Sequence, residues 1–147
     1  MLPRLTPAEA MERIDVVTAH AWMVRTFLKH ADEFEDDPER MEVPRQIFDF
    51  CRALEGRRAK GDAAAYLTQA RRKLHRLRRV AEWFSANVRD ISAHTNFHQA
   101  AVSLSGCVRA IEEVLAAVDG DGSGAEGAGV AGQGPDDGDD EPGPIEE

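Results

Sequence analysis

The sequence predicts an all-α fold, an up-down-up-down four-helix bundle followed by an acidic tail. Apolar side chains recur at alternating spacings of three and four residues in three segments, most clearly from Leu67 to Ile91, and such a stripe needs a partner helix to bury it. Aromatic residues make up only 6% of the chain, and a single Tyr is among them, which disfavours a β-sandwich. The predicted helices span about residues 6–36, 38–57 with a kink at Pro44, 62–92 and 96–118.

Proline and capping residues set the starts of the first two helices. Thr6 stands before a proline, and Glu9 follows three residues later, which is the pattern of a capping box. Asp37-Pro38 repeats the combination of cap and proline at the second start. Pro44 interrupts the second helix, because proline lacks a backbone donor and disfavours helical geometry in the residue before it. We therefore expect a kink at Pro44, or a short turn with the helix resuming there.

The third and fourth helices are predicted as separate elements. Asp62 is the expected N-cap of the third helix. The stripe that begins at Phe97 is one residue out of phase with the stripe before it, and one uninterrupted helix would be about 85 Å long. A tight turn at residues 92–96, with Thr95 or Asn96 as the next N-cap, accommodates this change of phase.

The acidity of the chain is concentrated in its last segment. Residues 119–147 contain ten of the 27 acidic residues, nine of the twelve glycines and no basic residue, which leaves 17 acidic against 18 basic residues in 1–118. We therefore expect a helical domain over 1–118 and a disordered tail over 119–147. The tail would either solubilise the protein or fold back and compete with an anionic ligand.

A run of basic residues on the third helix is the strongest surface feature of the sequence. A basic helix face can neutralise phosphates, and a neighbouring tryptophan could stack on a base. Alternatively, the acidic segment 32–42 could complement this run within the same chain, which is the simpler explanation. The face is formed by Arg71, Arg72, Lys73, Arg76, Arg78, Arg79 and Trp83.

Two aromatic residues suggest a protein–protein interface. Trp22 lies outside the apolar stripe of the first helix, and Phe50 lies off the expected inner face of the second, which is formed by Ile47, Phe48, Cys51 and Leu54. Exposed tryptophan is uncommon on monomers and is enriched at interfaces. Alternatively, both side chains broaden a wide bundle core.

Residues able to carry chemistry are few. Asp90, His94 and His98 lie four residues apart, and histidines at i and i+4 can present two ligands to a metal. No HExxH element accompanies them, and the predicted turn would destroy their spacing, so we predict neither a metal site nor a cofactor. No catalytic motif is recognised, which disfavours an enzyme. Cys51 and Cys107 have no CxxC spacing and are expected to be buried, reduced thiols.

Two stretches, residues 22–30 (WMVRTFLKH) and residues 92–97 (SAHTNF), resemble an uncharacterised group of small all-helical bacterial proteins. The resemblance covers most of residues 6–118 and implies a small helical protein. Some members of the group carry an amidohydrolase label. The present chain has neither the HxH strand motif nor the length of the barrel that this activity would require, so no catalytic residue is carried over.

The function predicted from the sequence is a protein-interaction or scaffolding module that self-associates. The alternative is a nucleic-acid-binding accessory protein that uses the basic face of the third helix, and a metal-binding helical protein comes third. Partners would be proteins or further copies of this chain, with nucleic acid less favoured. No apolar run approaches the roughly 18–20 residues of a membrane span, and no signal peptide is recognised, so a cytoplasmic protein without membrane attachment is expected.

Overall fold

The computed structural model of the protein describes residues 3–118, and these form the predicted all-α four-helix bundle. The expected disordered tail at 119–147 lies outside the described residues. Short connections join the successive helices, so neighbours along the chain run antiparallel. The helices are α1 (Pro7–Lys29), α2 (Pro38–Ala59), α3 (Ala63–Ile91) and α4 (Thr95–Ala116).

The four helices are arranged so that each packs against two neighbours around the bundle. The pairs in contact are α1 with α2, α2 with α3, α3 with α4, and α4 with α1, and α1 also contacts α3 across the centre. Within residues 3–118, α2 and α4 make no contact with each other. The bundle is therefore compressed along the α1–α3 diagonal, and every helix keeps one face turned outward.

The predicted helix starts are confirmed at the first three helices. The Thr6 amide donates to Oε1 of Glu9 at 3.1 Å, and the Glu9 amide donates to Oγ1 of Thr6 at 3.2 Å, which completes the capping box. Asp37 accepts from the first two free amides of α2, both at 3.1 Å. Asp62 accepts from the Ala65 amide at 3.0 Å. These side chains satisfy backbone donors that the helices themselves cannot.

The first helix is shorter than predicted, because it ends at Lys29 rather than near residue 36. The segment that follows folds back as a series of turns and buries Phe34 completely. The Phe34 ring meets Phe84 edge-on at a centroid distance of 5.8 Å and stacks on Phe97 at 6.1 Å. A helix continued to residue 36 would have carried Phe34 about 7.5 Å beyond Lys29 along the axis of α1. Burial of one aromatic side chain thus overrides helical periodicity here.

Two further details differ from the prediction or choose between its alternatives. The second helix runs without a break through Pro44, which is buried, so the alternative of a turn at this proline is wrong. The N-cap of α4 is His94, not Thr95 or Asn96, because Nδ1 of His94 accepts from the Asn96 amide at 3.1 Å. The break predicted at residues 92–96 is nevertheless confirmed, since Ser92 adopts an extended conformation.

The core consists of the apolar stripes that the sequence contains. The stripes of α3 and α4 are buried along their whole length, and that of α1 is buried except at Val17 and Ala31, which are partly buried. Where the described chain begins and ends, the Leu5 amide donates to the Ala117 carbonyl at 2.7 Å, and this hydrogen bond joins the two ends. Among residues 3–118, no helix is both long and apolar enough to cross a membrane.

Candidate interaction surfaces

The outward face of α1 is largely apolar from Val16 to Phe27, with His20 as an exposed polar residue among these side chains. Val16 is 60% exposed, Met23 is 65% exposed and Phe27 is 37% exposed. Their spacing places them on one stripe, on the side of the helix opposite to its buried residues. This helix is therefore apolar on two sides, whereas a surface helix usually presents charged residues to water. We call this surface the α1 outer face, and it comprises Val16, Ala19, Trp22, Met23 and Phe27.

A groove of about 620 Å³ lies between one edge of the α1 outer face and α2. The rings of Trp22 and Phe48 meet in it at a centroid distance of 5.8 Å. The Arg25 guanidinium lies 4.2 Å from the Trp22 ring centre and 4.9 Å from that of Phe48. Trp22, 36% exposed, thus lies at the surface, as an interface residue would. Phe50, the second residue predicted for an interface, does not lie at the surface, since it is only 2% exposed and belongs to the core.

An ion-pair cluster lies at the end of the same groove that is nearest to the start of α1 and the end of α2. Nη1 of Arg58 lies 2.6 Å from Oε1 of Glu12, and Nε of Arg58 lies 3.6 Å from Oδ2 of Asp15. The hydrogen bond that Arg58 donates to Glu12 raises the pKa of the Arg58 guanidinium. The cluster links the first turns of α1 to the last turns of α2 at an exposed position, which fixes orientation more than it stabilises.

A second groove, of about 380 Å³, lies on the other side of the α1 outer face, against α4. Met23 and Phe27 form its α1 wall, and Gln99 and Ser103 belong to its α4 wall. The Phe27 ring lies 5.1 Å from the Phe97 ring, centre to centre, so it rests on the core without being covered. The α1 outer face is therefore an apolar ridge between two grooves.

The basic residues on the α4 side of α3 contact their own chain. Nε of Arg78 lies 2.7 Å from Oε1 of Glu112 on α4. Nη2 of Arg71 donates to the Leu115 carbonyl at 3.0 Å, near the end of α4 where carbonyls lack helical partners. Arg71 and Arg78 therefore contribute to the contact between α3 and α4.

The basic residues on the α2 side of α3 also face acidic groups. Lys73 and Arg76 share a small cleft with Asp49 of α2. Partial burial raises the pKa of the Asp49 carboxyl, whereas Arg45, Arg76 and Lys73 oppose that rise. Arg72 is exposed. The carboxylates of Asp49 on α2 and Glu112 on α4, which face these cations, lie outside the segment 32–42 that was expected to complement the basic face.

Arg79 and Trp83, the last two members of the basic face, line a separate groove against the start of α2. This groove has a volume of about 450 Å³, and Glu39 and Glu42 lie on its other wall. Trp83 is partly buried against the core. Trp83 therefore forms part of a groove wall and does not present an open ring face on which a base could stack.

The polar residues proposed as a weak cluster are divided by the break between α3 and α4. Asp90 lies in the last turn of α3, whereas His94 is the N-cap of α4 and His98 lies in its first turn. The i, i+4 relation of one continuous helix does not extend across Ser92. No group of three or more potential metal ligands occurs within residues 3–118.

The two thiols flank α1 from either side and are free. Sγ of Cys51 lies 3.9 Å from the Thr18 carbonyl, and Sγ of Cys107 lies 3.8 Å from the Val17 carbonyl. Burial raises the pKa of Cys51 to about 11 and also raises that of Cys107. Both groups are therefore protonated at neutral pH and unsuited to act as nucleophiles.

One buried polar group has no partner among the described residues. The Tyr66 side chain is 1% exposed, and its hydroxyl makes no hydrogen bond. Burial raises its pKa well above the ordinary value, and the carboxylate of Asp15 adds to the rise. The hydroxyl thus remains neutral, and its ring fills the core where α1, α2 and α3 meet.

The sequence reasoning missed Val16, Met23 and Phe27 as surface residues. The signal was available, since all three are apolar and lie outside the stripe that α1 buries. Comparison of the chain with protein-family models, with curated proteins and with solved structures finds no match.

Proposed function

We propose that this protein is a self-associating helical module whose two copies join through the α1 outer face. The observation that carries the proposal is the exposure of Val16 and Met23, at 60% and 65%, on one stripe with Phe27, with Trp22 at the edge of this surface beside α2. Water-exposed apolar area of this kind is lost on association, which provides the driving force. A reducing compartment such as the cytoplasm fits the two free thiols.

The size of the patch supports a specific contact of moderate strength. The exposed apolar side chains present on the order of 400 Å², within the range of the largest patches found on monomers, which are often functional. A standard interface buries about 800 Å² on each partner, of which the centre is apolar and the rim polar. The α1 outer face would supply that centre, and the walls of the two flanking grooves would supply the rim.

The order of residues along α1 suits an antiparallel pairing of two copies. In a twofold dimer the same surface of both copies is used, and a residue i that contacts j of the partner is matched by j contacting i, so the surface must be complementary to itself. With the axis near the middle of the stripe, Val16 of one copy faces Phe27 of the other, and His20 faces Met23. The smaller Val16 thus meets the larger Phe27 at each end of the contact, and His20 and Met23 meet near its centre.

The charges at the two ends of α1 favour the same arrangement. The first half of α1 has a net charge of −2 and the second half a net charge of +2, from Glu9, Glu12, Arg13 and Asp15 and from Arg25 and Lys29, respectively. Antiparallel pairing brings the acidic end of one helix near the basic end of the other, and parallel pairing brings like charges together. Such charges set orientation rather than affinity.

Nucleic-acid binding by the basic face of α3 is the less favoured function. Arg78 and Arg71 make contacts with α4, and Lys73 and Arg76 face Asp49. A phosphate backbone would have to compete with these contacts for each cation. Arg72 alone adds little, because affinity for nucleic acid grows with the number of phosphates neutralised.

The test is the mass of the full chain in solution as a function of concentration. Sedimentation velocity from about 1 to 200 µM should show the mass rise from one copy to two, and Met23→Lys should abolish that rise. At a concentration where the native chain is monomeric, thermal denaturation of Met23→Lys should match it, because the residue is mostly exposed. A monomer at every concentration would contradict the proposal, as would a variant that associates as the native chain does.

A further inference from the structure

The groove between the start of α2 and the second half of α3 differs in character from those beside α1. Its volume is about 450 Å³, and its floor is apolar: Val43 is fully buried, Val80 is 7% exposed, and Trp83 forms a partly buried wall. Grooves of this size admit a large apolar side chain, whose burial contributes most of the affinity at interfaces. We call it the α2–α3 groove, and its lining residues are Pro38, Glu39, Glu42, Val43, Arg79, Val80 and Trp83.

The rim of the α2–α3 groove is predominantly acidic. Glu39 and Glu42 lie on the α2 wall, and Arg79 is the one cation among the lining residues. The segment that leads into α2 contains further carboxylates at Asp32, Glu33, Glu35 and Asp36, but none of these lines the groove. Asp37 belongs to the same segment, and it caps α2 and pairs with Arg40 at 3.2 Å. The apolar slot is thus bordered by two carboxylates, of which Glu42 also accepts from Gln46 at 2.6 Å, and by one guanidinium.

We propose that the α2–α3 groove binds a basic peptide segment of a partner protein through one large apolar anchor residue. The anchor would rest against Trp83 on the apolar floor, and lysine or arginine side chains flanking it would face Glu39 and Glu42. This combination of an apolar anchor with complementary charge is how helical or extended segments are recognised in grooves. Segment 119–147 of the same chain does not fit, because it is acidic and contains no basic residue.

The proposal is independent of self-association through α1. Every lining residue of the α2–α3 groove belongs to α2 or α3, and none belongs to the α1 outer face. A dimer built on α1 would therefore leave this groove open, and a monomer would have it as well. Failure of one proposal does not decide the other.

Tryptophan fluorescence offers a direct measurement, because Trp83 is one of only two tryptophans. In the full chain carrying Trp22→Phe, Trp83 becomes the single reporter. The probe is a synthetic 15-residue peptide in which two lysines and two leucines alternate along the chain. The control is the same peptide with glutamate in place of every lysine. We expect a saturable change in Trp83 emission with the lysine peptide only, and affinity that falls as salt is raised.

Matched charge variants locate the binding site. Glu39→Lys should weaken the lysine peptide about five- to tenfold. Glu113→Lys makes the same change at an exposed position on α4, which does not contact α2, and should leave the affinity unchanged. Arg79→Ala should strengthen binding of the lysine peptide, since it removes the cation from the groove. Thermal melts would confirm that each variant is folded.

Three results would overturn the proposal. The first is an unchanged Trp83 emission with the lysine peptide. The second is equal weakening by Glu39→Lys and Glu113→Lys, which would indicate attraction to net charge and not to the groove. The third is weaker peptide binding on Arg79→Ala, or preference for the glutamate peptide, which would assign the groove to an anionic partner instead.

Discussion

The outward faces of α1 and α3 differ in whether their side chains find partners within the chain. On α3, cations project from the helix, yet Arg78 pairs with Glu112 at 2.7 Å and Arg71 donates to a carbonyl of α4 at 3.0 Å. On α1, Val16 and Met23 project into water, and both are at least 60% exposed. The conspicuous charges are thus engaged within the chain, whereas the apolar residues are not covered by it.

This contrast shows where a partner would gain free energy. Pairing with the α3 cations would exchange one set of charge contacts for another, with little net gain at the surface. Covering the α1 outer face would remove apolar area from water, which is favourable at roughly 25 cal/mol for each Å². The less conspicuous of the two patterns therefore carries the stronger indication of function.

The largest expected effect is the difference in unfolding free energy between a substitution in the core and one on the α1 outer face. Phe34 is fully buried, and Phe34→Ala should lower the free energy of unfolding by about 3–5 kcal/mol. Phe27 is 37% exposed, and Phe27→Ala should cost only about 1 kcal/mol in the monomer. Urea denaturation at low protein concentration measures both. Equal losses would mean that Phe27 is a core residue and that the face is not available for association.

An intermediate effect concerns the thiols against the inner side of α1. Because burial raises the pKa of Cys51 to about 11 from 9.0, its thiolate population near pH 8 should fall about a hundredfold, and its alkylation should slow accordingly. The rate should rise about tenfold for each pH unit up to that pKa. Iodoacetamide labelling followed by mass spectrometry, in native buffer and in guanidinium, measures this. Equally fast labelling in both would show that α1 does not seal the thiols.

The smallest expected effect is on the α3 side. Both partners of the Arg78–Glu112 pair are about two-fifths exposed, so Arg78→Ala should cost no more than about 1 kcal/mol of unfolding free energy, and less at high salt. A double-mutant cycle with Glu112→Ala isolates the pairwise contribution. A coupling of several kcal/mol would contradict the description of α3 as a face of weak, exposed pairs.

Most of the fold could be predicted from local pattern and capping chemistry. The apolar stripes of α3 and α4 and the caps at Thr6, Asp37 and Asp62 act within a few residues of the chain, so the sequence displays them directly. The early end of α1 could not be predicted, because it depends on where Phe34 packs against Phe84 and Phe97, some 50 residues and more away. His94 as a cap was missed because its ring nitrogen, unlike the oxygens of Thr95 or Asn96, is an uncommon capping acceptor.

The candidate surfaces were predicted less completely. Trp22 was identified because an isolated tryptophan off an apolar stripe is conspicuous, whereas Val16 and Met23 are common helix residues whose direction depends on which side α1 buries. For Phe50 the second of the two alternatives holds, that it broadens the core, because α2 packs on both α1 and α3 and its buried face is wider than one stripe. The pairing of Arg78 with Glu112 depends on the relative height of two helices, which sequence spacing does not determine.

Two valines offer the most direct test of the central claim that the α1 outer face joins two copies. Val16 on α1 and Val102 on α4 are similarly exposed, at 60% and 67%, and Val102 is not among the residues lining the grooves beside α1. Sedimentation equilibrium should give a monomer for Val16→Lys and the mass of the native dimer for Val102→Lys. Equal masses for the two variants, whether monomeric or dimeric, would contradict the account.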